Sequence, residues 1–279
     1  MTEFEEHRPR LRALAYRMLG SLAEADDAVQ EAWLRFHRTG DIDNPGGWLT
    51  TVVARICLNV LRSRDREEPV GMHMPDPVVD RADGVDPEHE ALLADSVGLA
   101  MLVVLDTLTP PERVAFVLHD LFAVPYEEIA PLLERSTAAT RQLASRGRRR
   151  VQEAPVPDPD LAQQRAVVDA FFAAAREGDF DALVAVLDPD VILRADGGTA
   201  RPGRSIVLHG PKAVAGQAST GGARFAPFLR PALVNGAAGA VAVASGRLLS
   251  VMGFTVVRGR IVAMDVLYDP DRLAGVGVP

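Results

Sequence analysis

Six arginines (Arg135, Arg141, Arg146, Arg148, Arg149, Arg150) crowd between Glu134 and Val151 against one acid. Arginine and glutamine carry donor and acceptor pairs that match guanine and adenine edges in the major groove, while further arginines grip phosphates. Arg141, Gln142, Ser145, Arg146, Arg148 and Arg149 are therefore candidate DNA contacts. A second set is Arg55, Asn59, Arg62 and Arg66, spaced i, i+4, i+7, i+11 behind Trp48. On a helix that spacing makes a basic edge about 16 Å long. The aromatic at its start suits stacking on an unpaired base. A third set, Asp26, Asp27, Gln30 and Glu31, makes an acidic surface suited to a basic helical partner. A fourth lies far downstream: Asp196, His209 and Asp265 could each act as a base in an enclosed pocket, with Arg204 and Tyr268 as helpers. Plainer readings exist for each set: a solvated helix end, a core tryptophan, a hydrated acidic face, a structural carboxylate.

Helices must position the first three sets. Leu11, Leu14, Ala15 and Met18 repeat with helical spacing, as do Val29, Ala32, Trp33 and Phe36. A third helix opens after Asn44, with Pro45 in its first turn, and is expected to bury Leu49, Val52, Val53, Ile56 and Val60. Thr109-Pro-Pro-Glu112 reads as a capping box. A short helix follows at 126–133, then a tight turn at 134–136. Ser136 caps a helix to about Gln152 whose inner stripe is Thr140, Leu143, Ala144, Gly147 and Val151. The pair forms a helix-turn-helix.

The segment from 161 changes character. Two helices, roughly 161–176 and 179–187, precede β-rich runs at 191–195, 232–235, 240–244, 248–257 and 260–268, punctuated by glycines. Proline-rich stretches separate the parts, so the expected division is 1–66, a flexible linker 67–94, 95–153, a spacer 154–160, and 161–279. The fold class is multidomain: two all-α domains followed by an α+β domain.

The chain has 279 residues and a formal net charge of −8. Residues 1–153 hold 18 basic and 26 acidic side chains, and residues 154–279 hold 12 of each. An acidic chain repels free nucleic acid, so the basic patches must act within a larger assembly. The acidic N-terminus has no apolar h-region, and no apolar run spans a membrane. Cys57 is the single cysteine, which leaves no disulfide framework. The expected location is the cytoplasm. No histidine pair has metal-ligand spacing, and neither a phosphate loop nor a dinucleotide fingerprint is present, so no metal or cofactor is expected.

Three stretches in order, FEEHRPRLRALAYRMLGSLAEADDAVQEAWLRF, NPGGWLTTVVARICLNVLRSR and LTPPERVAFVLHDLFAVPYEEIAPLLERSTAATRQLASRGRRRV, resemble the extracytoplasmic-function (ECF) sigma factors of bacterial RNA polymerase. The resemblance implies sigma region 2 at 4–66 and sigma region 4 at 95–152. It implies that Asp26, Asp27, Gln30 and Glu31 dock on the polymerase β′ clamp helices. It implies that the helix of Trp48, Arg55, Asn59, Arg62 and Arg66 captures and melts the minus-ten element. The helix 137–150 would read the minus-thirty-five element, with region 4 near the β flap.

Residues 161–273 resemble a SnoaL-like, cone-shaped domain of the nuclear-transport-factor-two-like fold, the C-terminal extension of the SigJ-like subgroup. Where that subgroup carries Trp-Leu-Pro-Glu-Pro, Asp-Gly-Gly-Gly and Asn-Pro-Asp-Lys-Leu, this chain has His73-Met-Pro-Asp-Pro77, Asp196-Gly-Gly-Thr-Ala-Arg201 and Asp269-Pro-Asp-Arg-Leu273. Gly147 stands where alanine is common, which should cost the helix up to about 1 kcal/mol. The implied function is promoter selection by core polymerase, with the C-terminal domain as a regulator in cis. In that domain Asp196, Arg204, His209, Asp265 and Tyr268 would serve a pocket or a regulatory contact. The rival readings are a small-ligand sensor or a cyclase- or isomerase-like enzyme fused to a DNA-binding module, and an ordinary helix-turn-helix repressor. The last leaves the helices of Asp26–Glu31 and Trp48–Arg66 unexplained.

Overall fold

The structure, a computed structural model, describes residues 2–39, 42–64, 74–86, 89, 92, 98–198 and 205–277. The chain divides into two compact units. One contains Met1–Pro69, Pro87–Val97 and Met101–Ala154; the other contains Val70–Asp86, Gly98–Ala100 and Pro155–Pro279. Among the described residues no helix is long and apolar enough to cross a membrane.

The first unit is helical. Helix α1 (Thr2–Leu19), α2 (Leu22–Thr39) and α3 (Pro45–Arg64) form a bundle. Asn44 caps α3 by accepting from the Gly47 amide at 3.0 Å. The buried stripe of α3 is Leu49, Val53, Ala54, Cys57, Leu58 and Leu61. It is rotated from the expected one, so Val52, Ile56 and Val60 are only half-buried. The small side chains of Ala54 and Cys57 take inner positions where neighbouring helices come close.

Helix α4 (Leu99–Asp106) leads to α5 (Pro110–Phe116), a π-helical turn (Val117–Leu121), α6 (Tyr126–Leu133) and α7 (Thr137–Gln152). The Glu112 carboxylate accepts from the Thr109 amide at 3.3 Å and its hydroxyl at 2.9 Å at the start of α5. Helix α6 ends in a Schellman turn: Glu134 is left-handed (φ 56°), its amide donates to the Pro131 carbonyl, and the Arg135 amide donates to that of Ala130. Ser136 then opens α7 by accepting from the Ala139 amide at 3.2 Å.

Residues 1–66 and 95–153 were expected as separate domains, but their described parts fall in one unit because α1 and the α5–π segment interlock. Arg113, 3% exposed, donates to the Met18 carbonyl at 2.9 Å and pairs with Asp106 at 2.8 Å. Arg10 donates to the Phe122 carbonyl at 3.0 Å, and Arg17 lies 5.3 Å from the centre of the Phe122 ring.

The second unit is α+β. Its elements are β1 (Val79–Arg81), α8 (Leu161–Glu177), α9 (Phe180–Val186), β2 (Leu187–Asp196), β3 (Ile206–His209), α10 (Pro211–Phe225), β4 (Leu229–Val234), β5 (Ala237–Ala244), β6 (Arg247–Val257), β7 (Arg260–Leu267) and α11 (Pro270–Leu273). The seven strands form one sheet in the order β1-β4-β5-β6-β7-β2-β3, antiparallel except for the parallel β2–β7 pair. Positive φ at Asn235-Gly236, Ser245-Gly246 and Arg258-Gly259 closes three two-residue hairpins.

Val168, Phe171, Leu183 and Val214 of the helices bury one sheet face, against Leu193, Ala195, Phe254, Val256 and Met264. Phe171, Phe172 and Phe254 stack edge to face with centroids 5.6–5.8 Å apart.

The linker 67–94, expected to be flexible throughout, is ordered over 74–81, and β1 is an edge strand of this sheet. Val79 pairs with Val234 and Arg81 with Ala232. The driving force is burial: Met74 through Asp80 are all buried. The spacer 154–160 is likewise pinned. The Asp158 carboxylate accepts from the Gly259 and Arg258 amides at 3.0 and 2.9 Å, and these bonds hold its pKa below the usual carboxylate range.

Candidate nucleic-acid interface and the C-terminal anchor

The basic face of α7 follows from its packing. Thr140, Ala144 and Gly147 point inward, and Leu143 and Val151 are half-buried. Gly147 has a physical reason: a Cβ there would lie 2.9 Å from the Phe116 Cβ. The glycine lets α7 close on α5, which offsets its poor helix propensity.

Arg141, Gln142, Ser145, Arg146 and Arg149 are exposed. Arg146 lies 3.8 Å from Glu112 with its own side chain 62% exposed, a weak tie that leaves it available. Arg150 turns back to the Thr107 carbonyl at 2.7 Å. Arg148 departs from the expected set, because its Nε donates to Asp120 at 2.7 Å. Asp120 first, then the Tyr126 hydroxyl, raise the Arg148 pKa above its ordinary value. A partner 28 residues away could not be read from the spacing within α7.

On α3, Arg55 and Asn59 are exposed and Arg62 is half-buried. Trp48 is half-buried, with its ring 6.2 Å from that of Phe36, which itself lies 6.0 Å from Phe4. Arg66 lies outside the described residues. Arg64, between them, serves the fold: it pairs with Glu24 and donates to the Leu19 carbonyl at 3.0 Å.

On α2, Asp26, Asp27 and Gln30 are exposed and Glu31 half-buried. Arg12 reaches Asp26 at 2.6 Å and Arg35 reaches Glu31 at 2.9 Å. Exposed pairs of this kind are worth up to about 1 kcal/mol, so a competing partner exchanges them easily. Burial pushes the Cys57 thiol up and keeps it unreactive.

The fourth set behaves differently. Strand register places Arg194, Asp196, His209 and Asp265 on the sheet face opposite the helix-covered core. They therefore do not line a pocket between helices and sheet. Asp265, 2% exposed, accepts from Arg194 at 2.7 and 3.3 Å. Burial pushes its carboxyl up, and Arg194 pulls it part of the way back. His209 is exposed at the end of β3, and the Tyr268 ring lies against Gly197. Arg204 lies outside the described residues.

Asp196, 1% exposed, is an anchor. It accepts from the Met74 amide at 2.9 Å, the Gly198 amide at 2.9 Å and Arg272 at 2.9 Å. Arg272 also donates to Asp76 at 2.8 Å and to the Met74 carbonyl. Asn235 adds a reciprocal pair with Val78: its Oδ1 accepts at 3.1 Å and its amide donates at 2.8 Å. Gly198 is needed here, since at φ 69° a Cβ would collide with Asp269. Neither Arg272 nor Asn235 stood out as functional in the sequence. The Asp269-Pro-Asp-Arg-Leu273 stretch was the available signal.

Comparison with known proteins agrees with this geometry. Sigma-70 region 2 matches residues 4–67, and Sigma-70, region 4 matches residues 99–151. The chain is 39% identical over 292 residues to the ECF RNA polymerase sigma factor SigJ of Mycobacterium tuberculosis (strain ATCC 25618 / H37Rv), covering 99% of this chain and 93% of that relative. It is 37% identical over 275 residues to the probable ECF RNA polymerase sigma factor SigI of Mycobacterium tuberculosis (strain CDC 1551 / Oshkosh), covering 96% and 92%. The crystal structure of Mycobacterium tuberculosis SigJ is similar with a TM-score of 0.80 at 37% identity, covering 100% of this chain and 99% of that one.

A helical bundle with a basic edge, followed by a helix-turn-helix with an arginine-bearing second helix, defines a sigma-70-type transcription initiation factor. The chain belongs to the ECF RNA polymerase sigma factors, which direct core polymerase to promoters.

Proposed function

We propose that this chain selects promoters through two separate helical surfaces, and that its C-terminal domain regulates it in cis. Asp26, Asp27, Gln30 and Glu31 on α2 dock on the β′ clamp helices, and region 4 meets the β flap. Trp48, Arg55, Asn59, Arg62 and Arg66 capture and melt the minus-ten element. Arg141, Gln142, Ser145, Arg146 and Arg149 read or grip the minus-thirty-five element, and Arg148 supports them from its ion pair. The work is done in the cytoplasm, beside polymerase.

The observation that carries the reading is that α3 and α7 each bury one face and turn arginines and amides outward from the other. Run-off transcription with core polymerase tests it. Arg141→Ala with Arg149→Ala, and Arg55→Ala with Arg62→Ala, should each lower initiation at least tenfold while core binding persists, since each lost base or phosphate contact is worth about 1–3 kcal/mol.

The regulatory reading rests on the anchor at Asp196. The segment that joins the two DNA-binding regions is held at 74–81 by the C-terminal sheet. Holding that segment couples the C-terminal domain to the connection between regions 2 and 4. We read the domain as a regulatory module, a reading supported by the engagement of Asp265 and Asp196 with Arg194 and Arg272. Truncation after Leu267 removes Arg272 and should change promoter output; unchanged output would remove the regulatory role.

A further inference from the structure

The two arginines of α7 that face α6 meet different fates. Arg148 is neutralised by Asp120 and is also tied to the Tyr126 hydroxyl, a tie that Tyr126→Phe removes while keeping the ring. Arg141, two turns nearer the start of the helix, has no carboxylate partner among the described residues. Its guanidinium carbon lies 5.3 Å from the centre of the Tyr126 ring. That ring is held in turn. It stacks on His119 with centroids 3.7 Å apart and planes 24° from parallel. His119 is fixed by its Nδ1 at 3.0 Å from the Val124 carbonyl, which makes Nδ1 the donor. Tyr126 opens α6 and is half-buried.

A guanidinium packed over an aromatic ring keeps its charge partly satisfied without using a hydrogen-bond acceptor, so N–H groups remain for another partner. Those are the groups that form paired hydrogen bonds to a guanine edge. Arg141 also lies in the second turn of α7, the part of a recognition helix that enters the groove. A long side chain held in place before binding loses less freedom on contact.

We propose that Tyr126 is a positioning residue for promoter discrimination, its ring orienting Arg141 so that sequence preference at one base pair of the upstream element depends on a side chain that does not touch DNA. The proposal rests on the assignment of α7 as the reader of that element.

The experiment is transcription by holoenzyme, rebuilt from the full chain and core polymerase, on templates with a randomised upstream element. Arg141→Ala identifies the base pair it reads. Tyr126→Leu is expected to weaken preference at that same base pair roughly three- to fivefold, the order of one exposed cation–π contact, with the other positions unchanged. Tyr126→Phe keeps the ring and should keep the preference. If Tyr126→Leu does not assemble with core, Tyr126→Met, which fills the space without a ring, supplies the same readout. Output that falls equally on all sequences, with preference intact in the variant that assembles, overturns the proposal. If Arg141→Ala itself leaves every preference intact, the assignment of α7 fails instead, and the two failures are distinguishable.

Discussion

Asp265 shows how a single residue invites one function and is held to another. In the sequence it is an acid amid an apolar strand, a natural candidate for a base. In the fold it is paired with Arg194 across parallel strands. The pair predicts a pH-dependent variant. Burial raises the Asp265 pKa above its unfolded value, so the native state holds this proton more readily and the acid opposes folding less as pH falls. Arg194→Met removes the opposing pull and raises the pKa further. Breaking a buried pair on one side costs about 3 kcal/mol. The loss should be full at pH 8 and shrink as pH falls toward the raised Asp265 pKa; thermal melts across that range check this, and a loss that does not change with pH would contradict it. Gly147→Ala makes the opposite point about propensity. The gain of up to about 1 kcal/mol in helix propensity is outweighed by crowding against Phe116, where overpacking costs about 1–3 kcal/mol. Urea unfolding should show a lower midpoint, not a higher one.

Elements were legible in proportion to how local their causes are. The Ser136 cap, the inward Thr140, Ala144 and Gly147 of α7 and its exposed Arg141, Gln142 and Arg149 all lie within one short stretch, and they appear as the sequence reads, whereas Arg148 is drawn away by the distant Asp120. Helices α8 and α9 and strands β4 to β7 fall close to their expected places for the same reason: hydrophobic period and glycine turns. What was hidden depended on distant partners. Strand β1 is three residues among prolines and exists because Val234 and Asn235 pair with it. Strand β3 is four residues, and α10 is rich in glycine and alanine without a strong apolar period. The side of the sheet that Asp196, His209 and Asp265 occupy depends on register, which alternation alone left open. At this scale Arg272→Ala is expected to release the 74–81 segment. Hydrogen exchange should quicken at the Met74 and Val78 amides and stay unchanged at Val241 in the middle of β5; no change at Met74 would mean Arg272 is not what anchors it.

Across the whole molecule, charge and connectivity work together. Residues 1–153 carry the entire net charge of −8, although both arginine surfaces lie within them. That excess of negative charge opposes binding of the free chain to DNA, and the arginine surfaces are expected to act once polymerase supplies the approach. The sequence pointed to both arginine-bearing helices and could not show that α1 and the α5–π segment interlock, because Arg113 and Met18 are far apart in the chain. The two arginine surfaces are proposed to serve one initiation event on one DNA. The most direct measurement varies the spacing between the two promoter elements in run-off transcription with core polymerase and the intact chain. A sharp optimum is predicted, with initiation lost when the upstream element is moved by five base pairs, about half a helical turn. Output that follows either element alone, whatever the spacing, would contradict the account.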